Sequence, residues 1–346
     1  MTKLLKPILG GLKTDELKTL TVQAGEAPFR ARQLGEWIYR GQITDPARMT
    51  NLPASLKDYI SQHTIPCSSE VTESFMSSDG TEKLLIRLHD GECVEMVMIP
   101  SPERMTFCLS TQVGCPVRCR FCASGADGLV RNLEAGEIIE ELHHGARRLG
   151  KLPDNIVFMG IGEGLLNFKN LSTALEIMTA PDMIGMSPRR ITVSTSGYVP
   201  GIRQLADFGR PFTLAVSLHA VDDATRAEII PDQLRYGIRE ILDACTYYRE
   251  KIGRMVTLEY TLLADVNDSE AEAEKLAAIA RAQHAKVNLI PYNAVSESFK
   301  RPSKKTITAF FNKLEQRGAT VTLRLEKGTE NDAACGQLRL KRKKEL

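Results

Sequence analysis

The chain of 346 residues has no uninterrupted apolar run of about 18 residues, so nothing in it reads as a membrane span. Its opening, "MTKLLKPILGGLKTDELK", has too short an apolar stretch for a secretory leader and soon turns acidic. Aromatic side chains are sparse, at 6%, with a single tryptophan. There is no low-complexity linker and no internal repeat. Cysteine is scarce too, eight in all, yet four of them crowd into "CLSTQVGCPVRCRFCASG", residues 108–125. These features describe an ordinary globular protein, read as cytoplasmic, with an expected place in a reducing compartment. There, clustered cysteines hold metal or do catalysis more often than they form structural disulfides.

Charge is nearly balanced, at +2, but unevenly spread. Residues 1–60 carry nine Lys or Arg against six Asp or Glu, and the stretch "GQLRLKRKKEL" carries five against one. Basic ends on a mildly acidic body suit a polyanionic partner, although a solvated lysine-rich tail looks the same in composition.

Periodicity divides the chain into four. Residues 1–65 read as a helical accessory domain: "RARQLGEWIYR" and "ASLKDYISQH" repeat apolar residues every three or four positions, with breaks at Asp45-Pro46 and Leu52-Pro53. Trp37 and Tyr39 among Arg30, Arg32 and Arg40 could contact RNA or simply fill a core. Residues 66–104 read as a β-hairpin extension, with "EKLLIRL" and "CVEMVMI" joined by "HDGE" and a further turn at Asp79-Gly80. From 105 to 330 strands such as "MTFCLST", "NIVFMG" and "FTLAVSLHA" alternate with helical segments. This α/β alternation predicts a parallel sheet curved into a partial (β/α)6-type barrel, with its site at the carboxyl ends of the strands. Residues 331–346 form a C-terminal segment.

Cys115, Cys119 and Cys122 are spaced Cys-x3-Cys-x2-Cys just after the first barrel strand. A structural zinc needs a fourth ligand, for which His143 and His144 are the nearest candidates. An iron–sulfur cube with one iron lacking a protein ligand is the reading that suits a catalytic position.

The motifs "RARQLGEWIY", "MTNLP", "CLSTQVGCPVRCRFCASGADGLVRNL", "STSGYVPGI", "SLHA", "VNLIPYN" and "DAACGQL" extend the pattern along most of the chain. On these the chain resembles the RlmN/Cfr family of radical S-adenosylmethionine RNA adenosine methyltransferases, over about residues 27–340. The cysteine triplet alone marks only the superfamily; with Cys108 ahead of it and Cys335 in "DAACGQL" the pattern is specific. The resemblance implies that the triplet holds one [4Fe-4S] cluster and that two S-adenosylmethionine molecules are used per turnover. It implies that Cys335 takes a methyl group and carries it as a radical to adenine. By the same resemblance Glu95 removes the ring proton, and Cys108 releases the product by disulfide formation with Cys335. Within an apolar strand the Glu95 carboxyl is expected to sit above its ordinary range, while Glu92 is the bland alternative. Gly162, Glu163, Ser194, Ser217, Leu218, His219 and Asn293 match family positions that contact S-adenosylmethionine.

The expected substrate is carbon 2 of a 23S ribosomal RNA adenosine, with tRNA as a further substrate and a donor such as flavodoxin supplying electrons. Carbon 8 is the alternative, and a zinc-stabilised, non-catalytic RNA-binding protein the rival from another class. Cys67, Cys93 and Cys245 match nothing. Gly164, Pro231-Asp232-Gln233 and Asn331 depart from the family pattern, where proline, a Pro-Ile-Asn run and isoleucine are usual.

Overall fold

The structure, a computed structural model, describes residues 6–231, 234, 236–295, 298–324, 328, 332–334 and 336–338. Cys335, Asn331, Asp232, Gln233 and the run 339–346 lie outside them.

Three helices open the chain: α1 (Thr14–Gln23), α2 (Arg30–Gly35), which runs on into a wider turn at Glu36–Arg40, and α3 (Ala54–His63). Leu17, Leu20, Leu34, Ile38, Leu56 and Ile60 recur at helical spacing and are buried. Tyr39 is fully buried, with its hydroxyl bonded to the Leu12 carbonyl, so it is a core residue. Half-buried Trp37 donates Nε1–H to Asn51 Oδ1 at 2.6 Å.

The sheet begins with four antiparallel strands, β1 (Ser69–Met76), β2 (Glu82–Leu88), β3 (Cys93–Ser101) and β4 (Arg104–Cys108). A bulge falls between Val71 and Glu73 in β1. A separate ribbon, β5 (Gln112–Gly114) with β6 (Leu129–Asn132), comes next in the chain. The helix α4 (Ala135–Leu149) then leads into β7 (Asn155–Phe158), and α5 (Phe168–Thr179) into β8 (Ile191–Thr195). Next come α6 (Val199–Asp207), β9 (Thr213–Ser217), α7 (Asp223–Ile229), α8 (Ile238–Ile252) and β10 (Thr257–Leu262). The chain continues through α9 (Glu270–Ala282), β11 (Lys286–Pro291), α10 (Lys304–Gln316) and β12 (Thr320–Leu323).

In space the strands run β1-β2-β3-β4-β7-β8-β9-β10-β11-β12, parallel from β4 onward. Each parallel step demands a crossover long enough for a helix, and the helical segments supply it. Edges remain at β1 and β12, so the barrel is an open one. No helix among the described residues is long and apolar enough to cross a membrane.

Register decides what each face of the antiparallel part carries, because directly opposed residues share a face. Lys83 opposes Val97, Val97 opposes Cys108, and Leu85 opposes Glu95. Lys83, Glu95, Val97 and Cys108 therefore project on one side. Leu84, Ile86, Val94, Met96, Met98 and Phe107 project on the other and belong to the main core. The helix α4 covers that second side closely. A Cβ at Gly145 would meet Phe107 at 2.6 Å and Met96 at 2.7 Å.

Candidate active site

The cysteine loop is held at both ends. The Cys115 N–H donates to Gly128 O at 3.0 Å, closing the loop against the β5–β6 ribbon, and the Cys122 N–H donates to Cys119 O at 3.0 Å. The Arg120 N–H bonds to Ile229 O at 3.0 Å, tying the loop to the end of α7. From the other side the C-terminal segment reaches over it: Gly336 O accepts from Ala123 N at 2.8 Å and Leu338 O from Ser124 Oγ at 2.7 Å.

Cys115, Cys119 and Cys122 line one cleft at the carboxyl ends of the strands. Burial pushes the Cys115 thiol up to about 12 and the Cys119 thiol well above its ordinary range, with the neighbouring cysteines adding to both shifts. Two sulfurs whose anionic form is so disfavoured, gathered with the third at one cleft, fit a positively charged iron site that would stabilise their thiolates. His143 and His144, the fourth ligands of the zinc reading, do not line the cleft. The ring of His143 is buried with no hydrogen-bond partner, and His144 lies against Ser69 at 3.0 Å and Arg147 at 2.9 Å. Among the described residues, the set of three donors within 4.8 Å of one another is Cys67, Glu140 and His144, not the triplet.

The cofactor-binding candidates fall into place around the thiols. Gly162, Glu163, Ser194, Ser217, His219 and Asn293 all line the cleft; Leu218 does not and packs in the core. Gly162 has φ +113°, and a Cβ there would meet Gln112 at 2.7 Å and Thr111 Oγ1 at 2.8 Å, so no other residue fits without displacement. The Glu163 N–H donates to Gln112 Oε1 at 2.8 Å, and its carboxylate accepts from Ser196 N at 2.6 Å. Burial raises the Glu163 carboxyl, and the Ser196 bond pulls it back.

His219 takes a left-handed φ of +57° and is buried. Its Nδ1 accepts from the Thr261 N–H at 3.0 Å, so the ring proton sits on Nε2. Burial, then Arg226, holds it down at about 3, and Phe121 meets the ring edge-on at 4.8 Å. The buried Arg226 donates to the carbonyls of Ser196, Leu218 and Ser217, the last at 3.0 Å, and so joins the ends of β8 and β9. Sequence reasoning passed over Arg226 because a buried arginine looks like any helix-surface one. It also passed over Glu259, a buried carboxylate in the cleft that accepts from Asn288 Nδ2 at 2.9 Å.

Glu95 and Cys108 lie beside the cleft rather than in its lining. Cys108 packs with Val97, Ile161, Ala333 and Leu338. Ala333 and Leu338 flank Cys335, while Gly336, its next neighbour, lines the cleft. Glu95 is buried on the same sheet face, but its setting is not the apolar one expected: Lys83 Nζ lies 2.9 Å from its carboxylate.

Comparison with known proteins agrees with this layout. Residues 109–277 match the radical SAM superfamily profile, and residues 8–65 match that of the ribosomal RNA large subunit methyltransferase N-terminal domain. The chain is 43% identical over 327 residues to the probable dual-specificity RNA methyltransferase RlmN of Clostridium perfringens, covering 94% of each. It is 40% identical to the protein of that name from Akkermansia muciniphila, covering 98% of this chain and 97% of the other. The crystal structure of a radical SAM methyltransferase from Sphaerobacter thermophilus superposes with TM-score 0.92 at 41% identity, covering 96% and 99%. The superfamily match implies a [4Fe-4S] cluster and S-adenosylmethionine, and the cleft supplies the thiols for the first. With sequence, N-terminal domain and whole fold in agreement, the chain belongs to the RlmN family of radical SAM RNA methyltransferases.

Proposed function

We propose that this protein methylates carbon 2 of an adenosine in RNA, with 23S ribosomal RNA as the main substrate and tRNA as a second. The dual-specificity name of its relatives supports two RNA classes, and the helical domain of residues 1–65 is the part read as engaging RNA. The 66–104 extension carries Glu95, the 105–330 barrel the cofactor cleft, and the 331–346 segment Cys335. The compartment is the cytoplasm, and a small reduced carrier such as flavodoxin is the electron donor.

Cys115, Cys119 and Cys122 would hold the cluster, with Gly162, Glu163, Ser194, Ser217, His219 and Asn293 placing S-adenosylmethionine and Leu218 packed in the core behind them. When bound, that pair supplies a carbon-centred radical able to abstract hydrogen from a methyl group. The protein's own residues do the rest. Cys335 serves as nucleophile and carries the methyl carbon to adenine. Glu95 accepts the proton that the adenine carbon must lose. Cys108 attacks the Cys335 sulfur and frees the product. Neutral His219 and the Arg226 clamp keep the strand ends in register around the cofactor.

The observation that carries this reading is the packing of Cys108 against Ala333 and Leu338, two positions before and three after Cys335 in the chain, while Gly336 lines the cleft. The test separates the two cysteines by order of action. Cys108→Ala should form a protein–RNA complex that survives denaturation, joined through Cys335, and should release no product. Cys335→Ala should form none. Normal turnover by Cys108→Ala, or the same complex from Cys335→Ala, would sink the assignment.

A further inference from the structure

The extension face that carries Glu95 holds a second charged residue that the reaction has not called upon. Lys83 is buried, its side chain only 8% exposed, as the second residue of β2. A lysine so enclosed needs a stated reason, because an ammonium out of water is costly unless paired. Two partners meet it: the Glu95 carboxylate at 2.9 Å and the ring of Phe75 on β1, whose centroid lies 5.5 Å from Nζ. Register explains the convergence. Phe75 opposes Lys83, and Lys83 opposes Val97, two residues along β3 from Glu95. Val97 in turn opposes Cys108.

We infer that Lys83 is a positioning residue for the proton-accepting step: it keeps the Glu95 carboxylate ionised and fixes its direction at the face shared with Cys108. This inference rests on the proposed reading of Glu95 as the base. A carboxylate buried in a strand would otherwise favour its neutral form, which cannot accept a proton. The adjacent cation reverses that preference, while Phe75 limits the ways the lysine can turn. The step itself moves one proton from the adenine carbon to a Glu95 oxygen, the C–H electron pair passing into the ring. Lys83 neither gains nor loses an electron or a proton.

Among the described residues of β1–β4, the other titratable groups on this face are Cys108 and, at the far end of β4, Arg104; Glu73 on β1 opposite Leu85; and, further along, Cys93 and the exposed pair Arg87 with Glu70. Arg87 is paired with Glu70 at the exposed end, whereas Lys83 Nζ lies 2.9 Å from the Glu95 carboxylate.

The experiment uses the full-length holoenzyme and follows resolution of the protein–RNA complex across pH in Lys83→Met, Lys83→Arg, Glu95→Gln and the wild type. Lys83→Met should load its cluster and form the complex, then resolve it roughly 10- to 100-fold more slowly. Its acid limb should move to higher pH, because a carboxylate without its cation protonates sooner as pH falls. Lys83→Arg, which keeps the charge, should restore most of the rate. Lys83→Met with a wild-type rate and an unshifted limb, beside a stalled Glu95→Gln, overturns the role of Lys83 alone. So does a Lys83→Arg enzyme as slow as Lys83→Met, which marks mere packing. Glu95→Gln resolving at the wild-type rate overturns the base assignment and the role of Lys83 with it. Should Lys83→Met fail to fold, Lys83→Arg still decides: its acid limb stays near the wild-type position under this proposal and shifts under a structural one.

Discussion

At the scale of single residues, the buried polar groups under α4 are the least expected part of the molecule. His143 is 1% exposed with both ring nitrogens unpartnered, and burial holds it down at about 3 against an ordinary 6.5. In the unfolded chain it binds a proton near pH 6.5; in the folded chain it does not. Its contribution is therefore lost as pH falls from about 6.5 toward 3, at up to about 1.4 kcal/mol per pH unit. Glu140 and Glu141, both raised by burial, titrate in the opposite sense, so a variant difference is cleaner than an absolute curve. His143→Leu should stabilise the protein at about pH 7.5, because it removes an unsatisfied buried group. The gain in melting temperature should be larger at about pH 5. A gain that is equal at both pH values would mean that His143 is charged or hydrated in the fold.

Elements meet closely where the N-terminal segment docks on α4. Leu9 N–H donates to Ile65 O at 2.8 Å and Ile65 N–H to Pro7 O at 2.9 Å, which ties the two ends of the helical region together. That tie lies against Gly136. A Cβ at Gly136 would come within 2.4 Å of Ile8 Cβ, and one at Gly11 within 2.6 Å of Gly136 N. Gly136→Ala should thus force the segment off α4 at a cost of about 1–3 kcal/mol. Urea unfolding and faster proteolysis near residue 8 should report it, with iron content unchanged; loss of iron instead would place the strain in the cleft.

Much of this architecture was legible in advance. The barrel strands stand out as short branched runs between helical stretches, and "HDGE" gives away the β2–β3 hairpin. The β5–β6 ribbon was not legible, since three- and four-residue strands carry no period. Nor was the Lys83–Glu95 pair, because it depends on cross-strand register, which no single strand encodes. His143 and His144 could be read as ligands only while the rotation of α4 was unknown. The cofactor residues were found through motif resemblance; lone serines and glycines at strand ends say little by themselves.

For the whole molecule, the basic ends frame the last prediction. If they meet RNA phosphates, log affinity should fall linearly with log salt, and removal of residues 341–346 should flatten the slope, by about 0.7–0.9 per lost contact. Cognate and unrelated RNA should weaken alike; an unchanged slope would exclude the run from binding. The β1 margin of the sheet has a different task. β1 is an exposed edge strand bearing Val71, Phe75 and Met76 at its surface, the kind of edge on which a second copy could add its own strand. The bulge between Val71 and Glu73 interrupts the even row of donors and acceptors there, and the Glu70–Arg87 ion pair and Glu73 make that edge polar. A short stretch of local irregularity thus makes this edge a poorer template for an incoming strand than its exposed apolar side chains alone would suggest.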